Sequence, residues 1–283
     1  MTDTPLLRIL SLGAGVQSTV MALMAARGEF GPRPDYCIFA DVGSEPADVY
    51  THLDWLEAEI KRLTNDQMKC VRVSKGNLET DVLAILEMEE IKGANPTPPF
   101  FTPGKDGKAA PIRRQCTADY KIEPINSFVR ELIGHPKGRV WRGPPVVEMW
   151  IGISTDEIIR LKDARVRFIK NRWPLIERGM SRGDCLEWFA RHYPGRKLVK
   201  SACWFCPFKK NSEWRRTRDE QPEEWRKAVS FDKAIRKGSV SARGEWFLHR
   251  ELKPLDEVDL SSTADRGQIE FGFLEECEGM CGV

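Results

Sequence analysis

Apolar and polar positions along this chain follow a rhythm that changes character late in the sequence. Leu6 to Leu12 is a largely apolar run and predicts a buried strand. It breaks at the small-residue turn Gly13-Ala14-Gly15. Val16 to Arg27 then places Val16, Val20, Leu23 and Met24 on one helical face. Tyr36 to Ala40 predicts a second strand, Ala47 to Leu63 a helix, Cys70 to Val73 a third strand, and Leu78 to Ile91 another helix. Val146 to Ile153 predicts a later strand, followed by a mostly polar segment. Strands alternating with helices imply a parallel sheet covered by helices, with the site built from loops at the strand C-terminal ends. Gly93 to Pro111 is rich in Pro, Gly and Thr and predicts a long mobile loop, serving either as a lid or as a plain insertion. Beyond Pro207, Lys209 to Arg218 is basic with Trp214 interleaved, Pro222 suits a helix start, and Glu223 to Lys237 is amphipathic. The expected organisation is therefore an α/β domain over 1–207 and a helical extension over 208–283 ending in a cysteine-containing tail.

Composition narrows this picture without redirecting it. A length of 283 residues suits one large domain or a domain with an appendage. The formal charge of +2 makes bulk electrostatics no argument for a polyanion partner, although local patches stay open. No apolar run is long enough to span a bilayer, and the first residues lack the basic and apolar regions of a signal peptide, so a soluble, cytoplasmic protein is expected. Eight cysteines in such a chain point to metal, cluster or thiol chemistry before disulfides.

The opening turn carries the first chemical expectation. A strand feeding a glycine turn that opens a helix aims backbone N–H groups and a positive helix end at one spot, which suits phosphate or sulfate. Gly13 and Gly15 would admit an anion close to the backbone, and Ser18 would add a hydroxyl donor. The spacing matches neither a Walker loop nor a dinucleotide fingerprint. The plain alternative is that these glycines serve the turn alone.

Five segments together resemble the adenine-nucleotide PP-loop superfamily, and within it the phosphoadenosine-phosphosulfate (PAPS) reductase-like branch. Ser11 to Gln17 resembles that branch's first loop, and Gly15 and Ser18 also occupy positions of the form used by ATP-cleaving members. Asp41-Val42-Gly43-Ser44-Glu45 resembles a shortened second-strand segment. Arg114-Gln115-Cys116-Thr117 with Lys121 and Pro124, Gly152 to Glu157 with Arg160, and Cys203-Trp204-Phe205-Cys206-Pro207 follow in the family's order. The resemblance covers about residues 6 to 210. It implies a HUP-like, Rossmann-like five-stranded parallel sheet with helices on both faces. An adenine nucleotide would be held by Ser11, Gly13, Ala14, Gly15, Val16, Gln17, Ser18, Asp41, Gly43, Gly152 and Asp156. Lys121, Arg114 and Arg160 would neutralise phosphate or sulfate, as planar guanidinium forks do well. Mg²⁺ would accompany ATP.

The cysteines divide in the same light. Cys203-x-x-Cys206 puts two thiols on one turn, within reach of one metal or cluster. Arg113-Arg114 would favour a thiolate at Cys116. Reductases of this branch hold a 4Fe-4S cluster with a Cys-Cys pair at the earlier block, but Gln115 stands where the first of that pair would be. Cys116, Cys203 and Cys206 remain, with Cys281, Cys277 or a substrate atom as a fourth ligand. Structural zinc on Cys203/Cys206 and Cys277/Cys281 is the alternative. In the tail, Glu276-Cys277 matches the reductase ending and then diverges, so Cys277 is either a nucleophile resolved by Cys281 or a ligand. Cys37, Cys70 and Cys185 read as core or incidental residues.

Three functions follow. The first is an ATP pyrophosphatase-type enzyme supporting sulfur transfer from a sulfur donor. Its acceptor would be a nucleic acid stacked and neutralised along Trp204 to Arg218. The second is an adenylyl-sulfate or phosphoadenylyl-sulfate reductase, which releases sulfite and draws on a thioredoxin-like reductant. The third is a non-catalytic nucleotide- or nucleic-acid-binding protein.

Overall fold

A computed structural model describes residues 6–87, 97–238 and 244–261. In chain order its elements are β1 (Leu7–Leu12), α1 (Val16–Ala26), β2 (Tyr36–Asp41), α2 (Ala47–Thr64), β3 (Lys69–Ser74), α3 (Leu78–Leu86), β4 (Phe101–Pro103), β5 (Ala109–Pro111), α4 (Glu123–Leu132), β6 (Val147–Ile151), β7 (Ile169–Arg172), α5 (Pro174–Glu177), α6 (Arg182–His192), α7 (Asn211–Glu220) and α8 (Pro222–Ile235). A short π-helical turn, Ala118–Ile122, leads into α4. The described residues pack as two compact units, one from 6–75 and 120–201, the other from 76–119 and 202–261.

The first unit is an all-parallel sheet in the order β3-β2-β1-β6-β7 with helices on both faces. The two-residue period of a strand divides its side chains between two cores. Leu10, Leu12, Cys37, Phe39 and Trp150 pack with α1, α2 and Phe189 of α6. Ile9, Ile38, Ala40, Met149 and Ile151 pack with Ile125 and Val129 of α4. Helix α1 is buried almost all round, which is why its apolar residues exceed the single stripe read from its spacing. Strand β7 lies in the segment that reads as mostly polar. It is a four-residue edge strand with Lys170 exposed, and short polar edges carry little periodic signal.

The core of the second unit contains a cluster of aromatic side chains. Phe100 packs against Phe231 and Trp246, and Phe231 against Trp204 and Phe205, with ring centroids 4.4–6.1 Å apart. Within the segment expected to be a long mobile loop, residues 97–111 carry two short strands. Strands β4 and β5 pair antiparallel, Phe101 bridges Phe247, and Phe100 is buried. Two aromatic residues outweigh the surrounding Pro and Gly by giving the segment something to bury. Residues 93–96 lie outside the described residues. The segment beyond 208 shares its core with this hairpin and does not stand as a separate appendage. The helix expected to reach Ile91 ends at Leu86, and residues 88–96 lie outside the described residues.

Candidate functional site

In the first unit, the C-terminal ends of β2, β1 and β6 lie side by side, so the loops that follow them share one end of the sheet. The chain order reverses between β1 and β6, the crevice where open α/β sheets usually take their ligands. Ser11, one residue before the end of β1, is buried and paired across to Ile38 and Ile151. Ala14 then adopts a left-handed conformation (φ 57°), and Gly15 stands at the N-cap of α1 with no side-chain cap. The first helical hydrogen bond runs from the Thr19 N–H to the Gly15 carbonyl at 2.9 Å. Earlier amides, those of Val16, Gln17 and Ser18, have no acceptor within the helix. The helix's first turn carries no acidic residue that would compete with an anion. Gly13 to Gln17 are buried, so these amides sit where solvent satisfies them poorly.

Gly152, just past β6, closes against this turn. A Cβ there would stand 3.0 Å from both the N and Cα of Ser18. Only glycine lets the β6 loop come this close to the opening turn of α1. Gly43, with φ 68°, turns the chain after β2, and its N–H donates to Asp41 Oδ1 at 2.8 Å. The Tyr50 hydroxyl donates to the same oxygen at 2.8 Å. Burial, then the bond to Asp41, push the Tyr50 phenol well above its ordinary pKa.

The side chains expected to touch a ligand are held by other protein groups. Gln17 is 1% exposed. Its Nε2 donates to Ser154 Oγ (3.3 Å) and Glu157 Oε2 (3.1 Å), and its Oε1 accepts from Arg182 Nη1 (3.1 Å). Gln17 therefore ties the first turn of α1 to the β6 loop and to α6. The Ser18 hydroxyl donates to the Gly15 carbonyl at 3.3 Å. Asp156 accepts the Arg182 main-chain N–H, through Oδ1 at 3.1 Å and Oδ2 at 3.3 Å, at the start of α6. Arg160 pairs with Glu157. Lys121 Nζ lies 3.4 Å from Glu45 Oε1, whose side chain is fully buried, and Ser201 Oγ donates to Glu45 Oε2 at 3.3 Å. Each expected cation of this unit thus has a carboxylate partner. Arg182, Tyr50 and Ser201 were not singled out from sequence, and their partners, 165, 9 and 156 residues away, left no local signal.

In the second unit, Cys203 and Cys206 lie on one turn closed by the Cys206 N–H to Cys203 carbonyl bond (2.9 Å). Both thiols are half-buried and outside any disulfide. Lys209 follows with a side chain 9% exposed, its Nζ 3.7 Å from Glu224 Oε1 and 4.8 Å from the centre of the Trp214 ring. Burial pulls the Lys209 ammonium down, while Glu224 and the two thiols favour its charged form. The amides of Gln115 and Cys116 both donate to the Thr97 carbonyl, at 3.1 and 3.3 Å, and Arg114 lies 5.9 Å from the centre of Phe208. Among the described residues no three His, Cys, Asp or Glu side chains converge closely enough to hold one metal ion. Cys277 and Cys281 lie outside the described residues.

The aromatic residues expected to stack on nucleic acid are core residues. Trp204, Phe205 and Trp214 are buried, packed against their neighbours Phe231 and Trp225. They present no face to a base. No helix among the described residues is long and apolar enough to cross a membrane. No known family model matches the chain, and no curated protein sequence matches it.

Proposed function

We propose that the first unit binds an adenine nucleotide at the β1–α1 turn and that the chain is an ATP pyrophosphatase-type enzyme supporting sulfur transfer. The observation that carries the reading is a buried, uncapped helix start, free of acidic side chains, beside a glycine that admits the neighbouring loop. Amides of this kind stabilise charge that grows on a leaving pyrophosphate without reorganising as it forms. In the reaction, an acceptor oxygen attacks the α-phosphorus of MgATP, and the α–β bridging oxygen leaves with pyrophosphate. A sulfur nucleophile then displaces AMP from the activated acceptor. Lys121 and Arg160 would share their charge between Glu45 or Glu157 and the incoming phosphates, and Gln17 would hold the turn in register. Cys116, Cys203 and Cys206 are the thiols that would contribute to a 4Fe-4S or zinc site.

Pyrophosphate and AMP release from ATP is the test. Nucleotide-dependent pyrophosphate formation with a rise in melting temperature under ATP is the expected result. Thiol-dependent sulfite release from adenylyl sulfate, without pyrophosphate from ATP, would replace this reading with the reductase. Absence of both, with ATP still raising the melting temperature, would leave a binding protein.

A further inference from the structure

The parallel strands put the candidate nucleotide turn at one end of the sheet and a basic surface at the other. Two segments enter β6 and β7 at their N-terminal ends, residues 134–146 and 161–168. Together with the first two residues of β7 they hold seven Lys or Arg against one Asp, a local excess that the near-neutral whole chain conceals. The two segments are packed as one surface. Trp141 stands 6.3 Å and His135 5.8 Å from the Phe168 ring, and the Val146 and Val147 amides both donate to the Phe168 carbonyl at 3.0 Å. Arg130 lies over the Phe168 ring, 4.8 Å from its centre, adding a positive charge to this cluster.

Lys137, Arg139, Arg142, Arg165, Arg167 and Lys170 are all exposed here. Lys137 lies 3.5 Å from Glu123, and the acids near this surface include Asp163 within it, Glu131 of α4 and Asp35, which accepts the Arg8 N–H. The remaining five cations have no carboxylate within ion-pairing distance among the described residues. An unneutralised cluster held on a rigid aromatic base repels itself, and a polyanion relieves that repulsion. Four of the six are arginine, whose fork meets phosphate oxygens bidentately. Val140, 71% exposed, is the one large apolar side chain offered, too little for insertion into a bilayer.

We propose that this face docks the sugar–phosphate backbone of a nucleic acid. The proposal gives the acceptor of the preceding section a docking surface and rests on that reading only for naming the acceptor's class. It also moves the contact away from Trp204 to Arg218, where Trp204, Phe205 and Trp214 are buried. The strands separating the two ends are about 20 Å long at 3.3 Å per residue, so a nucleic acid of a few turns can span both.

The test is binding of the full chain to fluorescent 20-base oligonucleotides, single- and double-stranded, across a salt series. For four or five phosphates neutralised, log affinity is expected to fall with log salt at a slope of about −3 to −5. The fourfold variant R139E/R142E/R165E/R167E should bind about tenfold or more weakly at equal salt, with a flatter slope. Because four reversals can disturb folding, R165Q/R167Q is measured in parallel and should lose part of the affinity with an unchanged circular dichroism spectrum. K61E/K105E, exposed elsewhere, should bind as the parent does. Equal binding by the parent and R165Q/R167Q overturns the proposal. So does tighter binding of the parent to phosphatidylserine vesicles or polyglutamate than to either oligonucleotide. ATP-induced stabilisation is read on the same samples. Its loss in the parent with oligonucleotide binding intact would remove the nucleotide reading and leave this face standing.

Discussion

The two units of this chain are stabilised in different ways, and the difference explains what each can tolerate. In the first, a continuous parallel ladder sets the positions of the loops, and side chains such as Gln17 and Gly152 adjust them. In the second, the cysteine turn and the short two-stranded hairpin are packed on rings, with Trp204, Phe205, Phe231 and Phe100 in one cluster. A backbone frame spreads its stability over many hydrogen bonds and small aliphatic contacts. A ring-packed core concentrates it in a few large side chains.

Truncating one of those rings is the most direct way to break the comparison. Trp214→Ala removes a fully buried ring that packs 6.4 Å from Trp225 and under Lys209. It should cost about 3–5 kcal/mol in urea unfolding, with ATP-induced stabilisation of the first unit retained. Loss of both together would show that the units do not separate energetically.

Acid should reveal a weakness in the first unit. His52 on α2 is buried, bonded through Nε2 to Thr19 Oγ1 at 3.0 Å, and its Nδ1 has no partner. Burial first, then Arg196, lowers its pKa to about 4. The unfolded chain therefore takes up a proton near pH 6.5 that the folded chain refuses until about pH 4. Stability present above pH 6.5 is lost as pH falls through that window, by about 3 kcal/mol at most. A urea midpoint that stays flat from pH 7 to pH 4, once other carboxylates are accounted for by His52→Gln, would contradict this.

Gly152→Val tests whether the β6 loop must touch the start of α1. The new side chain meets Ser18 backbone atoms that cannot swing aside. A cost of about 1–3 kcal/mol is expected, together with loss of ATP-induced stabilisation. Unchanged nucleotide response would detach the cradle from its neighbour. The smallest effect expected is at the α6 capping box, where Ser181 accepts from the Asp184 N–H and Asp184 accepts from the Ser181 N–H. Ser181→Ala should lower stability by about 1 kcal/mol by thermal melting, and loosen the Arg182 amide from Asp156.

Sequence alone determined the parallel α/β frame, because strand and helix periods each repeat over enough residues to be read locally. It also located the glycine turn, since only small residues follow β1, and it placed Cys203 and Cys206 on one turn by their spacing. Tertiary structure decided the partners. Gln17 faces Ser154, Glu157 and Arg182, Lys121 faces Glu45, and Trp204 and Trp214 face inward. It also revealed β7 and the hairpin at 101–111, whose stability comes from a neighbouring strand in one case and buried rings in the other. The reason is range. Propensity and periodicity act over a few residues, whereas a hydrogen bond between groups 140 or 165 residues apart exists only once the chain has folded.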